Sequence, residues 1–201
     1  MLKKIWIAAG LVGIAGVAAV LMFVAQQKPY TWHGSLFRPA NPSAPIQLSD
    51  TKNGQFHLEQ ERGKVVLLFF GYTHCPDECP LTMAKLKEVE SSLGPQADQT
   101  VVVFVTIDPG RDTPDVLRAY LASFNPAFIG LTGSQPDLER VWKAYGVDPQ
   151  INGDQGLEGY TVAHSTALYL IDPQGRLRLT YGLDNSPTDI VSDVRYLLSN
   201  G

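Results

Sequence analysis

The amino-acid sequence predicts a three-layer α/β domain with a mixed central sheet. Short apolar segments such as Lys64–Phe70 are typical of strands buried on both faces, and they alternate with segments of helical periodicity. Two helical segments are preceded by a capping residue and a proline, which mark helix starts. The last two strand-like segments follow one another directly. Alternating strands and helices that end in a hairpin indicate a sheet with both parallel and antiparallel strands.

The first element expected is a short hairpin, followed by a strand and a helix. Asn53-Gly54 separates the segments Pro45–Asp50 and Gln55–Gln60, and Asn-Gly between alternating segments is a strong turn signal. The buried strand Lys64–Phe70 comes next. After a loop, the apolar residues of Leu81–Leu93 recur at close to helical spacing, so a helix is expected there.

The second half of the chain continues this alternation. Thr113 is expected to cap a helix whose first turn contains Pro114. The remaining segments are expected as strands over Val101–Ile107, Phe128–Leu131, Tyr160–Asp172 and Arg176–Gly182, and as helices after Thr113, over Ser134–Gly146 and over Ser186–Ser199. No internal repeat is present.

Length and charge restrict the function. Roughly 170 of the 201 residues remain when the apolar N-terminus is set aside, which is enough for one domain whose core folds without disulfides. The 16 basic and 20 acidic residues form no long run of either sign. A nucleic-acid surface is therefore not expected.

The N-terminus, residues 1–27, is predicted to be a membrane anchor. Ile5–Ala25 is an uncharged apolar run, long enough as a helix to cross a bilayer. A cleaved signal peptide is the alternative, but its apolar region would be shorter and a small-residue cleavage site is lacking. Lys3 and Lys4 precede the run and only Lys28 closely follows it, which favours a cytoplasmic N-terminus. We therefore expect a single-pass protein of a bacterial inner membrane, with its domain in the periplasm.

Residues 28–45 are predicted to be a tether, and residues 46–201 the folded domain. The tether segment contains four prolines and no apolar periodicity.

The two cysteines are the first candidates for a functional site. Cys75 and Cys79 lie in the loop "GYTHCPDECP", just after a buried strand, where α/β sheets collect ligands. Pro80 is a good first helical residue, so the N-terminus of a helix would lower the pKa values of the thiols. The spacing alone leaves three interpretations open: a redox pair, a metal site or an inert disulfide.

A third ligand would favour the metal site, and four histidines are available. His33 lies in the tether segment, His57 in the early hairpin and His74 beside a cysteine, where structural or solvated roles are expected. His164 differs, because it opens the strand Thr166–Ile171, which is expected beside the one that precedes the cysteine loop.

Two thiolates and one imidazole form a soft set of three ligands. Cys75, Cys79 and His164 suit copper, since Cu(I) accepts trigonal coordination. Zinc also accepts these ligands but prefers a closed tetrahedral set in structural sites, and no fourth ligand is evident. Asp77 and Glu78 are expected to be solvated, because hard carboxylates match a soft ion poorly.

Four motifs together resemble the Sco/SenC family of membrane-anchored, thioredoxin-like copper chaperones for cytochrome c oxidase assembly. They are "GYTHCPDEC", "DPGRDTP", "GLTG" and "YTVAHSTALYLIDPQGRL", in family order within Ile46–Leu198. The resemblance implies that Cys75, Cys79 and His164 bind Cu(I) or Cu(II). It also implies assistance in assembling the dinuclear copper centre of cytochrome c oxidase subunit II, with copper from a donor protein.

The resemblance also implies a second activity, and this sequence departs from the family pattern at three positions. Family members are described as thiol-disulfide reductases, which would need a thiol reductant as partner. Glu78 stands where an apolar residue is common, Gly110 where an acidic one is usual, and Ala163 where many members have an acidic residue. None of these departures removes a predicted ligand.

Three other functional classes are considered for the same residues. A periplasmic thioredoxin-like oxidoreductase would have C-x-x-C and a cis-proline near the site, whereas this chain has C-x-x-x-C and no proline at Ser165-Thr166. A peroxidase lacks support because Thr-x-x-Cys is absent. A sensor of copper or redox state predicts no metal transfer. Asp108, before a proline, is interpreted as a strand-end turn in preference to a residue that supports the site.

Overall fold

The fold is built on an eight-stranded mixed sheet. The structure is a computed structural model that describes residues 30–153, 160–163 and 165–200. In chain order the strands are β1 (Ser35–Pro42), β2 (Gln47–Asp50), β3 (Gln55–His57), β4 (Val65–Gly71), β5 (Thr100–Thr106), β6 (Ile129–Thr132), β7 (Gln150–Asn152), β8 (Thr161–Ala163), β9 (Leu168–Ile171) and β10 (Arg176–Tyr181). The large sheet has the order β1-β10-β9-β4-β5-β6-β2-β3, whereas β7 and β8 form a separate hairpin.

Four helices accompany the strands in the described part of the chain. They are α1 (Glu78–Leu93), α2 (Pro114–Ala122), α3 (Gln135–Ala144) and α4 (Pro187–Asn200). The predicted caps are present: Thr113 Oγ1 accepts a hydrogen bond from Val116 N at 3.3 Å, and Ser134 Oγ from Asp137 N at 3.4 Å. Short 3-10 helices cover Leu58–Glu61 and Gly94–Gln99.

Aromatic side chains of β4 divide the core into two layers. The chain crosses from β4 through α1 to β5 and through α2 to β6, with all three strands parallel. Right-handed crossovers in one direction place both helices on one face of the sheet. There, Phe69 lies 6.0 Å from Phe104, whose ring is 5.9 Å from Tyr120 of α2. On the other face, Phe70 lies 5.5 Å from Tyr145, which follows α3. The mixed three-layer arrangement confirms the predicted fold class.

The local predictions are also confirmed around the early hairpin and the central strands. β2 and β3 pair antiparallel, and Asn53 takes a positive φ of 66° in the turn between them. Asp50 Oδ1 accepts hydrogen bonds from Lys52 N and Gly54 N at 2.7 and 2.8 Å, which fixes that turn. β9 pairs with β4, as expected for the strand that follows His164.

The predicted tether is wrong for residues 35–42. Instead of an unstructured connection, these residues form β1, an edge strand that pairs antiparallel with β10, although the register is interrupted between Leu36 and Asn41. Proline is tolerated in edge strands because only one side of the strand needs to donate hydrogen bonds. The compact unit that contains the sheet begins at Trp32, before the predicted residue 46.

The segment Tyr160–Asp172 is not one continuous strand, although the strand expected over Thr166–Ile171 is present as β9. The structure divides it into β8, paired with β7, and β9, paired with β4 and β10. The two strands serve different sheets, and residues 165–167 between them have no regular structure. His164, at this division, lies outside the described residues.

None of the helices in the described part of the chain has the length and apolarity needed to cross a membrane. The predicted anchor, residues 1–27, lies outside that part.

A buried carboxylate attaches the segment before β1 to the core. Asp193 of α4 is fully buried and accepts hydrogen bonds from His33 N at 3.1 Å, His33 Nδ1 at 2.9 Å and Gly34 N at 3.2 Å. The Tyr181 hydroxyl donates to the same carboxylate at 3.0 Å. His33, expected in a tether, therefore has a structural role.

We expect Asp193→Ala to lower the free energy of unfolding by about 3 kcal/mol, because several buried donors lose a charged acceptor. Urea denaturation of the full-length chain in detergent measures the change. Ser199→Ala, at an exposed position of the same helix, is the control and should be nearly neutral. Equal effects of the two substitutions would show that this carboxylate does not secure β1.

Candidate metal centre

The two cysteines lie where β4 ends and α1 begins. Cys79 is in the first turn of α1 and fully buried, whereas Cys75 in the preceding loop is half-buried. Cys79 N donates a hydrogen bond to Cys75 Sγ at 3.4 Å, and Cys75 N donates to Tyr72 O at 3.2 Å. Both thiols are free. The loop therefore brings the two sulfur-bearing side chains together without a covalent bond.

Gly71, the last residue of β4, provides the space for the buried sulfur. A Cβ atom at this position would lie 2.9 Å from Cys79 Sγ, 2.8 Å from a ring carbon of Phe69 and 3.0 Å from one of Phe104. Side chains in contact do not approach so closely, so any larger residue would force Cys79 or the aromatic rings to move.

Burial determines the acidity of Cys79. Removal from water raises the pKa of the Cys79 thiol, and the nearby Cys75 side chain raises it further, while a hydrogen bond from the Tyr72 backbone opposes the shift. The prediction that the helix N-terminus lowers both thiol pKa values is therefore wrong for Cys79. Desolvation of a thiolate in an apolar pocket outweighs the helix dipole.

Asp112 connects the cysteine loop to the loop after β5. Its buried carboxylate accepts hydrogen bonds from Thr73 Oγ1 at 2.5 Å, Thr73 N at 3.2 Å and Thr106 Oγ1 at 2.6 Å. Burial raises the pKa of Asp112, although these hydrogen bonds partly offset the shift. The start of the cysteine loop is thereby attached to the end of β5.

Asp108 supports the site as well as forming a turn. Its carbonyl accepts from Arg111 N and Asp112 N, as the turn interpretation requires. In addition, its buried carboxylate accepts from Arg111 Nε at 2.5 Å and from the Tyr160 hydroxyl at 2.7 Å. Tyr160 directly precedes β8, which lines the groove described below, so Asp108 also supports the site. The interpretation of Asp108 as a strand-end turn alone is therefore wrong.

A groove separates the cysteine loop from β8. It is lined by Tyr72, Cys75, Pro76, Asp77, Glu78, Thr161, Val162 and Ala163. The buried Tyr72 hydroxyl accepts a hydrogen bond from Val162 N at 3.2 Å, which joins the two walls. His164 lies outside the described residues, but Ala163, immediately before it in sequence, faces the same groove as Cys75.

None of the described histidines is among the residues that line this groove. His57 Nδ1 is 3.4 Å from Glu59 Oε1, and His74 Nδ1 is 3.0 Å from Thr73 Oγ1. Within residues 30–153, 160–163 and 165–200, no cluster of three His, Cys, Asp or Glu side chains is arranged to hold a metal ion. His164, the predicted third ligand, lies outside these ranges.

Sequence reasoning identified the cysteines but missed the residues that arrange the groove. Tyr72, Arg111, Asp112 and Tyr160 were not singled out, and Asp108 was assigned only a turn. The motif "DPGRDTP" contained a signal, since it places an Arg between two Asp residues just after a buried strand, where charges of both signs can pair. Its partners Thr73 and Tyr160 are distant in sequence, so their contacts required the fold.

Comparisons with known proteins agree with the fold. Residues 38–199 match the family described as SCO1/SenC. A SCO2-like protein of Rickettsia felis is 33% identical over 193 residues, covering 95% of this chain and 94% of the relative.

Solved structures give the same result. The structure of Bradyrhizobium japonicum ScoI with copper bound is 33% identical, with a TM-score of 0.72, and the match covers 78% of this chain and 99% of that one. BsSco is described as having a disulfide switch and as a member of the Sco family of cytochrome c oxidase assembly proteins. It is 26% identical, with a TM-score of 0.63, covering 81% and 96% of the two chains. The fold is thus thioredoxin-like.

We expect Cys75 of the reduced, metal-free chain to be alkylated about tenfold faster, or more, than Cys79 at pH 8. The reason is that the thiolate is the nucleophile, and burial both shields Cys79 and raises its pKa. Timed iodoacetamide labelling with peptide mass spectrometry measures both rates. The rate at Cys79 should still be rising at pH 9.5, since its thiolate fraction grows until the pH passes the raised pKa.

The control for this experiment is the chain unfolded in urea, because both thiols are then solvated and should react at similar rates. Equal rates in the folded chain would contradict the burial of Cys79.

Proposed function

The chain belongs to the SCO1/SenC family, and we propose on this basis that it is a copper chaperone whose cargo binds to Cys75, Cys79 and His164. The observation that carries the proposal is the pair of adjacent free thiols on one wall of a groove whose other wall ends at Ala163, next to His164. The copper-bound ScoI structure supports it, since that relative shares a third of its residues with this chain over the matched region.

The donor set fits copper chemically. Two thiolates and an imidazole match the preference of Cu(I) for soft ligands and low coordination numbers. Both thiols must lose a proton to become ligands, and a bound cation lowers the cost of a thiolate in the apolar surroundings of Cys79. Cys75 is partly exposed, so an acceptor thiolate could replace one ligand at a time. Such an arrangement suits transfer of the metal by ligand exchange.

We further propose subunit II of cytochrome c oxidase as the acceptor, at its dinuclear copper centre. The description of BsSco as a member of a family of oxidase assembly proteins supports this choice. A copper donor protein would load the site. Residues 1–27 would anchor the chain in a bacterial inner membrane, with residues 32–201 in the periplasm near the oxidase.

A second candidate is thiol-disulfide reduction of the acceptor, favoured by the contact between Cys79 N and Cys75 Sγ. The more exposed Cys75 thiolate would attack an acceptor disulfide, form a mixed disulfide and release one acceptor thiolate. The Cys79 thiolate would then attack Cys75 Sγ, releasing the second acceptor thiolate and leaving a Cys75–Cys79 disulfide. Two electrons reach the acceptor, and a thiol reductant must restore the pair.

We expect the reduced full-length chain in detergent to bind one copper with two sulfur ligands and one nitrogen ligand. Copper titration against a competing Cu(I) chelator measures the affinity, and X-ray absorption spectroscopy identifies the ligands. Cys75→Ser, Cys79→Ser and His164→Ala should each weaken binding by about tenfold or more, because each removes a ligand. The affinity should rise between pH 6 and pH 8, since thiol protons compete with the metal.

His57→Ala is the matched control, because His57 lies in β3 and contacts Glu59 rather than the cysteine loop. Its copper affinity should equal that of the unmodified chain. Unchanged affinity in His164→Ala would refute the three-ligand site. Failure of the unmodified chain to bind copper, with intact reduction of a disulfide substrate, would leave the reductase function instead.

A further inference from the structure

Arg111 occupies an unusual position beside the groove. Its guanidinium carbon lies 3.6 Å from the centre of the Tyr160 ring and 5.7 Å from that of Tyr72. Arg111 Nε donates to Asp108 Oδ2 at 2.5 Å, and one terminal nitrogen donates to Tyr160 O at 3.0 Å. The side chain thus binds both the ring and the backbone of Tyr160. Through these contacts, Arg111 joins the loop after β5 to the segment that leads into β8.

Tyr160 is also attached to the loop after β5 through its hydroxyl group. Its hydroxyl donates to Asp108 Oδ1 at 2.7 Å, so the two oxygens of one buried carboxylate bind Arg111 and Tyr160. Beyond Tyr160, Val162 N donates to the Tyr72 hydroxyl. The arginine, the carboxylate and the two tyrosines form what we call the hairpin clamp: Tyr72, Asp108, Arg111 and Tyr160.

The clamp has a position to hold because β8 lies outside the large sheet and only one of its residues, Val162, is buried in the core. β8 is three residues long and pairs with β7, whose residues are exposed, and this hairpin is separate from the large sheet. An isolated two-stranded hairpin is only marginally stable in water. Contacts such as those of the clamp are therefore needed to keep β8 against the cysteine loop.

We infer that Arg111 is a positioning residue for the copper site: by stacking on Tyr160 and binding Asp108, it holds β8, which ends one residue before His164, against the cysteine loop. The inference rests on the proposed function for the role of His164. Its structural half, the attachment of β8, stands on the contacts of Arg111 alone. Arg111 would act through the hairpin and not as a ligand of the metal.

The chemistry of the clamp requires arginine rather than any cation. A planar guanidinium can stack on Tyr160 while its edge donates to a carboxylate and a carbonyl at the same time. An ammonium group is a compact charge without a plane, so lysine could replace only part of this set. Arg111→Lys should accordingly restore some of the function that Arg111→Met removes.

Arg118 provides a matched control in the same region of the chain. Arg118 also binds an aspartate three residues earlier, Asp115, at 2.5 Å and a backbone carbonyl, that of Thr51, at 2.5 Å. Its third partner is Asn53, in the turn between β2 and β3. Arg118→Met therefore removes a comparable set of bonds at a hairpin that does not line the groove.

The first test is hydrogen exchange of the metal-free, full-length chain in detergent. Arg111→Met should accelerate exchange of the backbone amides of residues 160–163 by about tenfold, while amides of β4 and β5 stay protected. Arg118→Met should leave residues 160–163 unchanged. Equal exchange of these amides in the Arg111→Met and unmodified chains would overturn the inference, whatever the chain binds.

The second test is the copper site itself, by chelator competition and X-ray absorption. Arg111→Met should lower the affinity about tenfold, which is typical of residues that orient a metal ligand, and should weaken the imidazole signal while both sulfur ligands remain. Arg111→Lys should fall between these values, and Arg118→Met should match the unmodified chain. An unchanged imidazole signal in Arg111→Met would refute the positioning role.

The two tests separate the inference from the proposed function. If the unmodified chain binds copper without His164, the three-ligand site is wrong, yet the exchange data still decide whether Arg111 holds β8. If His164 is a ligand and Arg111→Met behaves as the unmodified chain does, the proposed function stands and the inference fails.

Discussion

The hydrogen bonds of Asp112 are the constraint on which the site depends. β4 and β5 are neighbouring parallel strands, so the loops after them leave the sheet at the same edge. Asp112, in the second loop, binds Thr73 in the first and Thr106 at the end of β5. A buried carboxylate must be satisfied by such donors, because it costs several kcal/mol without them. The start of the cysteine loop therefore has a fixed position, and this restricts where Cys75 and Cys79 can lie.

The two cysteines differ in exposure because they lie in different parts of the fold. Cys79 is part of α1 and lies against the glycine that ends β4, so its thiol belongs to the core and its pKa is raised. Cys75 belongs to the loop and lines the groove. Under either proposed activity this asymmetry has a consequence: an acceptor meets Cys75 first, while Cys79 stays shielded from adventitious oxidants and alkylating agents.

The parts of the fold that the sequence could predict are those with local signals. β4 is continuously apolar and Thr113 precedes a proline, so both are apparent without knowledge of their partners. β1 was missed because its stability comes from pairing with β10 and from the contact of His33 with Asp193, which lies far along the chain. The hairpin clamp was missed for the same reason. Ligand types are a local property, whereas the residues that arrange them are set by tertiary contacts.

The unequal attachment of the site's two walls bears on how copper could leave it. One wall, the cysteine loop, is joined to the core through Asp112 and the burial of Cys79. The other wall, β8, is joined through the hairpin clamp, in which Tyr72 accepts a hydrogen bond from Val162 N, and through the burial of the Val162 side chain. Separation of β8 would break these contacts and expose Val162, but it would leave the large sheet paired, so it costs less than opening that sheet. Under the proposed function, the ligand after β8 would therefore be the first that copper exchanges, while both sulfurs hold the metal until an acceptor thiolate arrives.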